Sequence, residues 1–186
     1  MPRRLVILDR DGVINEDSRE FIKSPGEWLP IAGSLEAIGI LSLANFDIAV
    51  VTNQSGIGRN LFTPETLERI HKKMLKKAEV FSGKIGMIVS CPHHPYDKCY
   101  CRKPGTALMD KVAEYYQCPL EDVPMIGDSL RDIDAAVAVG GRPILVLTGN
   151  GLKTKVLLKN NGCAVENYPD LLSAARALVK ERENQL

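Results

Sequence analysis

The sequence is short of the features that commit a chain to a membrane or to a polyanion. It has no apolar run approaching the roughly 18 residues of a membrane span. Its first residues lack the charged, apolar and small-residue succession of a signal peptide. A formal net charge of only +1 argues against a nucleic-acid or membrane partner recruited by bulk electrostatics. No internal repeat marks a solenoid or an array. The five cysteines are an odd number, and three of them crowd at positions 91, 99 and 101, which in a reducing compartment points to metal more than to disulfides. What is present is ordinary: 186 residues, 45% hydrophobic and 25% charged, enough for a substantial core. The expectation is a single domain over residues 1–186, a monomeric cytoplasmic enzyme or binding protein.

Near the amino terminus, Leu5, Val6, Ile7 and Leu8 read as a short buried strand that delivers Asp9 and Asp11 to its tip, just before Gly12. Residues 15–30 are polar and broken by Pro25, Gly26 and Pro30, a loop. Ser34 is placed to cap a helix to about residue 44, with Leu35, Ile38, Leu41 and Ile40 toward the sheet. Residues 47–51 form a second strand. Thr63-Pro64 opens the next helix as a cap followed by proline, with Leu67, Ile70, Met74, Leu75, Ala78 and Phe81 on its apolar face. Lys72, Lys73, Lys76 and Lys77 read as its solvated face. Strands follow at residues 86–90, 123–126 and 143–147, with helices at 106–116 and 130–139, a turn at 149–151 and a last helix from Asn167-Pro169 to about Arg182. Alternating strands and helices imply crossovers between parallel strands. The fold class is therefore α/β: a three-layer, doubly wound, mostly parallel sheet with no large cap domain.

In such a sheet the carboxyl ends of the strands share one edge, where ligands bind. Asp9 and Asp11, then Thr52-Asn53, Arg102-Lys103, and Asp128 with Asp132 all fall at or just beyond that edge. Hard carboxylate oxygens suit Mg²⁺, while a lysine, a hydroxyl and backbone N–H groups suit the oxygens of a transferring phosphoryl group. Any one of these short motifs is weak evidence; four in order are not.

On these residues the chain resembles the haloacid dehalogenase (HAD) superfamily of phosphohydrolases, with a Rossmann-like sheet, over nearly its whole length. The motifs stand here as Asp9-Arg10-Asp11-Gly12-Val13, Thr52-Asn53, Lys103, and Gly127-Asp128-Ser129-Leu130-Arg131-Asp132. The resemblance implies that Asp9 is the nucleophile of an aspartyl-phosphate intermediate and that Asp11 is the acid and base. It implies Mg²⁺ held by Asp9, the Asp11 carbonyl and Asp128, with Thr52 and Lys103 on the phosphoryl oxygens. Asp132 reads as a helix-start carboxylate that orients Lys103, ahead of a metal ligand.

The run from Cys91 to Cys101 holds a Cys-x-His and a Cys-x-Cys. Cys91, His93, Cys99 and Cys101 offer three thiolates and an imidazole, a closed structural Zn²⁺ site. The alternatives are free thiols, a disulfide, or His94 in place of His93. Cys118 and Cys163 read as small buried or half-buried residues. The loop leads straight into Arg102-Lys103-Pro104, so a bound metal would fix the phosphate-binding lysine.

Together with Thr52-Asn53-Gln54-Ser55-Gly56-Ile57-Gly58-Arg59 and Cys91-Pro92-His93-His94-Pro95, this loop is similar to one branch of the superfamily, the heptose-bisphosphate phosphatases of bacterial surface-polysaccharide (lipopolysaccharide) synthesis. That resemblance implies removal of the 7-phosphate from a heptose 1,7-bisphosphate. It places Asp17, Asn53, Arg59, Arg102 and Ser129 as substrate contacts, with Arg102 on the anomeric phosphate. Arg59 has a plainer reading as a solvated loop arginine, and Ser18-Arg19-Glu20 departs from the branch's pattern, which leaves the anomer open. The histidinol-phosphate phosphatases share the motifs and the zinc loop and are the nearest rival. A binding module built on the zinc loop is a more distant one, disfavoured by the near-neutral charge.

Overall fold

The computed structural model describes residues 4–184. Six strands form one sheet: β1 (Arg4–Leu8), β2 (Phe46–Asn53), β3 (Met87–Cys91), β4 (Pro124–Gly127), β5 (Arg142–Val146) and β6 (Glu166–Tyr168). They pair in the order β3-β2-β1-β4-β5-β6, and every pairing is parallel. The helices are α1 (Ser34–Leu43), α2 (Pro64–Glu79), α3 (Ala107–Tyr116), α4 (Leu130–Ala138), α5 (Gly151–Asn160) and α6 (Leu171–Glu183). Among the described residues no helix is long and apolar enough to cross a membrane.

Side chains alternate across a strand, and both faces of this sheet are covered. Val6 and Leu8 of β1 join Ile48, Val50, Ile126 and Ile144 in a core closed by α1, α2 and α6. Leu5 and Ile7 turn the other way, with Ala49 and Val51, onto α3 and α4. Leu145 meets α4 and α5 on that same side. The strand order reverses at β1, flanked by β2 and β4, so the crevice expected at a switch point opens above Asp9.

The three-layer architecture is as expected, and the sheet is wholly rather than mostly parallel. Six local expectations need correction. Helix α5 lies where only a turn is expected, and strand β6 takes up residues expected to start the last helix, which begins at Leu171 instead. In α5, Leu152, Val156 and Leu157 are exposed and Leu158 is its one buried large apolar side chain, so no apolar stripe announced a helix. Strand β6 is three residues with one aromatic. Ser34 is the first helical residue, not the cap: Gly33 takes the cap position at φ 80°, and the Ser34 hydroxyl donates to the Ile14 carbonyl at 2.6 Å. Phe81 lies beyond α2 and is 46% exposed. Lys73 is not solvated: its ammonium donates to the Pro25 and Trp28 carbonyls and stands 5.7 Å from the Trp28 ring centroid. Strand β2 runs on through Thr52 and Asn53, which fixes both in the ladder.

The loop over residues 15–30 is tied to the site by one chain of hydrogen bonds. Trp28 is fully buried; its indole N–H donates to Asn15 Oδ1 at 2.9 Å, and Asn15 Nδ2 donates to Asp11 Oδ1 at 2.9 Å. Trp28→Phe keeps most of the ring but leaves that buried acceptor unpaired. Denaturant unfolding is expected to show a loss of about 1–3 kcal/mol, and a loss within error of zero would refute the anchoring role.

Candidate active site

Strand β1 ends by passing its ladder to β4, with Asp9 N–H donating to the Ile126 carbonyl at 2.9 Å. The chain then turns at Gly12 (φ +82°), and a Cβ there would sit 2.2 Å from Asp128 Oδ2. Gly149, at φ +55°, meets the same oxygen from the other side, also at 2.2 Å. Two glycines thus let the Asp128 carboxylate in between backbone segments, which no side chain would permit.

Lys103 is the cation of the site. Its side chain is 3% exposed, and Nζ lies 2.9 Å from Asp9 Oδ1 and 2.7 Å from Asp132 Oδ1. It also donates to the Val51 carbonyl at 2.6 Å. Burial alone would lower its pKa, but the charges of Asp132 and Asp9 outweigh burial and hold it above the ordinary value. Asp132 sits in the first turn of α4, where its Oδ2 accepts from the Ser129 N–H at 3.0 Å and from the Ser129 hydroxyl. Burial raises Asp132; Lys103 and these donors lower it further, and it ends below the usual carboxylate range.

The remaining carboxylates are less well matched. Burial pushes Asp9 up, Lys103 opposes, and Asp132, Asp128 and Asp11 add to the rise, leaving it at about 7. Burial likewise brings Asp128 to about 6, against the N–H of Asn150 and with help from Asp132. Oxygens of Asp9, Asp128 and Asp132 all lie within 4.8 Å of one another. Among the described residues Lys103 is the one cation ion-paired within this group, to Asp9 and Asp132, and Asp128 has no such partner, which leaves negative charge poorly compensated in a buried place. Hard oxygen donors so arranged fit a divalent cation such as Mg²⁺.

Asp11 is held apart from this group. Burial raises it, but the Arg10 guanidinium and hydrogen bonds from Asn15, Arg10 and Gln54 bring it below the usual range. Arg10 is itself fully buried; its fork spans both Asp11 oxygens at 2.8–3.0 Å. Its Nη1 lies 3.2 Å from His71 Nε2, and His71, pushed down to about 4 by burial and by Arg10, is neutral and able to accept.

The other expected residues divide. Thr52 is buried, and its hydroxyl accepts from Gln54 Nε2 at 2.8 Å. Asn53 brackets the Lys103 backbone, accepting from its N–H at 3.0 Å and donating to its carbonyl at 3.2 Å. Its side chain is thus spent on placing the lysine. Asp17, Asn53, Arg102 and Lys103 line a cleft of about 130 Å³ with the catalytic candidates, and Arg102 Nη1 is buried with no hydrogen-bond partner among the described residues. Ser129 is buried, and its hydroxyl is spent on Asp132. Arg59 is exposed, 5.7 Å above the Phe21 ring, and not in the cleft wall. Phe21 and Ile22 of the loop after β1 also line the cleft, as do Arg131, which stands inside the fourth motif and was legible there, and Asn150, which caps the unforeseen α5. A larger cavity of about 730 Å³ lies at the opposite edge of the sheet, between Arg4, Tyr116 and Leu178, and holds none of these groups.

Beyond β3, Cys91 Sγ is 3.5 Å from Cys99 Sγ and 3.2 Å from Cys101 Sγ, and His93 Nδ1 is 3.1 Å from Cys101 Sγ. Ligands about 2.3 Å from a tetrahedral zinc stand nearly 3.8 Å apart, so the cluster fits that ion with slight expansion. His94 is used otherwise: its Nδ1 accepts from the Tyr96 N–H and its own N–H donates to Asp97. Among the described residues the cysteines form no disulfide. Cys118 is half-buried, but Cys163 is exposed, against expectation, in the polar turn after α5. The loop packs on the segment after β2, where Gln54 N–H donates to the Cys91 carbonyl at 2.7 Å and Gly58 N–H to the Pro92 carbonyl at 2.8 Å.

A family model described as HAD-hydrolase-like matches residues 100–172. A D-glycero-beta-D-manno-heptose-1,7-bisphosphate 7-phosphatase of Pseudomonas putida is 46% identical over 95% of this chain and 99% of its own. The enzyme of that name from Escherichia coli is 34% identical over 77% of this chain and 79% of its own. Among solved structures, the D,D-heptose 1,7-bisphosphate phosphatase of B. bronchiseptica, complexed with magnesium and phosphate, superposes with a TM-score of 0.91 at 44% identity, covering 96% of this chain and 99% of that one.

Two outcomes follow from the charges and the thiols. Asp9 and Asp128 titrate at about 7 and about 6 in the fold, against 3.8 when unperturbed. Between those values the folded chain binds more protons than the unfolded one, so these groups make stability fall as pH rises through that window. A divalent cation reverses the penalty only where they are ionised. The rise in Tm on adding Mg²⁺ is therefore expected to be several-fold larger at pH 8 than at pH 5, and equal rises would refute the assignment. Cys101→Ser is expected to lose bound zinc by elemental analysis and to lower Tm by several degrees.

Proposed function

The chain belongs to the HAD-like heptose-bisphosphate phosphatase family, and from that premise we propose that it removes the 7-phosphate of D-glycero-D-manno-heptose 1,7-bisphosphate in the cytoplasm. The observation that carries this reading is the Lys103 ammonium held between Asp9 and Asp132. It leaves Asp9 beside a cation that a phosphoryl group can share. Mg²⁺, held by Asp9, the Asp11 carbonyl and Asp128, would supply positive charge to the phosphoryl oxygens and keep Asp9 ionised.

An oxygen of Asp9 attacks phosphorus in line with the C7–O–P bond. The P–O bond to the sugar breaks, its electron pair stays on the alkoxide oxygen, and Asp11 gives that oxygen a proton. Lys103 and the Thr52 hydroxyl stabilise the phosphoryl oxygens as charge redistributes. In the second half, water attacks the aspartyl-phosphate, Asp11 takes its proton, and the P–O bond to Asp9 breaks. The substrate-free geometry supports the second half directly, since Asp11 is already an anion fixed by Arg10, Asn15 and Gln54. The first half needs Asp11 protonated and turned from that clamp toward the leaving oxygen. Arg102, whose Nη1 is unpartnered, is the group proposed for the phosphate left at C1.

Asp9→Asn is expected to lower kcat by at least about a thousand-fold while circular dichroism and zinc content stay unchanged. A variant retaining a tenth of the rate refutes the nucleophile. Substrate choice is tested by kcat/KM on the two anomers of heptose 1,7-bisphosphate, fructose 1,6-bisphosphate and histidinol phosphate. A preference for histidinol phosphate overturns the substrate and leaves the chemistry standing.

A further inference from the structure

The turn between β5 and α5 and the first turn of α5 reach into the site through four groups. The Thr148 hydroxyl donates to the Gly12 carbonyl at 2.6 Å, and the Thr154 hydroxyl to the Asp128 carbonyl at 2.8 Å. Between them, the Asn150 backbone N–H donates to Asp128 Oδ2 at 2.7 Å. The Asn150 side-chain amide then donates twice, to Asp128 Oδ2 at 3.1 Å and to Asp17 Oδ2 at 3.0 Å. One NH₂ group has two hydrogens, and here one faces each carboxylate. The Asp17 carboxylate is held at its other oxygen by the Ser18 N–H at 2.8 Å.

We propose that Asn150 is a positioning residue that couples the sugar-facing Asp17 to the metal-facing Asp128, so that sugar and Mg²⁺ bind cooperatively. The inference rests on the functional reading above for the roles of those two aspartates. Asp128 Oδ2 is taken up by two bonds from Asn150 and lies against Gly12 and Gly149, while no donor in the described residues is recorded on Oδ1. The bridge therefore fixes which oxygen is presented to a cation. Asp17 is exposed on the loop that follows motif one, so without a ligand its end of the bridge is the less constrained. A sugar that orders Asp17 orders the amide, and the amide orders Asp128. Ordering done by the first ligand need not be repeated for the second, which is positive cooperativity, and linkage makes it reciprocal.

The test is titration calorimetry of Mg²⁺ with and without heptose 1-phosphate. This probe keeps the sugar and the C1 phosphate but lacks the phosphate that would touch the metal, so any coupling must pass through the protein. In the wild type the probe is expected to tighten Mg²⁺ binding at least about five-fold, the lower end of usual coupling. Asn150→Ala and Asp17→Ala are each expected to bring the ratio to one, and the double variant to match either alone. Asp17→Ala alters only an exposed side chain, so it carries the test should Asn150→Ala fail to fold, as zinc content and circular dichroism will report. Coupling that survives in either variant, or that is absent from a wild type that hydrolyses the bisphosphate, overturns the proposal. A wild type that neither binds the probe nor hydrolyses the bisphosphate overturns the functional reading, and this inference with it.

Discussion

The site depends on one buried ammonium. Lys103 reaches through the sheet's upper edge to touch Asp9, Asp132 and the Val51 carbonyl, and each contact answers a different need. A lysine that is 3% exposed would lose its proton without carboxylate partners; two buried carboxylates would lose their charge without the lysine. Isolated buried ion pairs are a doubtful source of stability. This one is better understood as a fixed electrostatic frame, whose geometry is set before any substrate arrives. Its members come from the tip of β1, from β2, from the loop beyond β3 and from α4 beyond β4, so the frame is only as exact as the sheet register that aligns them.

Several devices serve that register. Asn53 holds the Lys103 backbone by both its polar groups, which spends a residue expected to face substrate on aligning the lysine. The cysteine cluster closes the loop that delivers Arg102 and Lys103, and its backbone is bonded to Gln54 and Gly58. Since Gln54 also donates to Thr52 and Asp11, a zinc ion there would stiffen the lysine, the hydroxyl and the acid together. A structural metal can in this way serve chemistry from outside the reaction centre.

Much of this was legible in the sequence. The four motifs lie where alternation places strand ends, and carboxylates, hydroxyl and lysine converge as topology requires. The crowding of Cys91, Cys99 and Cys101 with a histidine was legible from spacing, and the fold decides for His93 over His94 as the fourth member of the cluster. What escaped notice did so for physical reasons. Helix α5 shows its apolar residues to solvent, so periodicity was silent, and with it went Asn150. Lys73 looked like one of four solvated lysines, and only the long-range contact with Trp28 and Pro25 sets it apart. The Ser129 hydroxyl was free to be read as a substrate contact until its three-residue reach to Asp132 was seen, although Ser-x-x-Asp before an apolar run is itself a capping signal.

The two aspartates with raised pKa values show why such a site is built at a loss of stability. In water Asp9 and Asp128 would ionise freely; in the fold, burial and neighbouring carboxylates raise them to about 7 and about 6. Arg102 and Arg131 line the same cleft, but among the described residues neither is ion-paired with Asp9 or Asp128, and a cation paired there would occupy the place of the metal. Leaving the charge unmatched makes the empty site less stable and the loaded site more so, and that difference is binding energy for the cation. Asp11 follows the opposite rule: its charge is matched by Arg10 and by hydrogen bonds from Asn15 and Gln54, and on the function proposed above it is the carboxylate that exchanges a proton. The arrangement thus separates the three acids by environment, two left short of positive charge and one already supplied, and on the function proposed above the supplied one must leave its clamp to act as an acid.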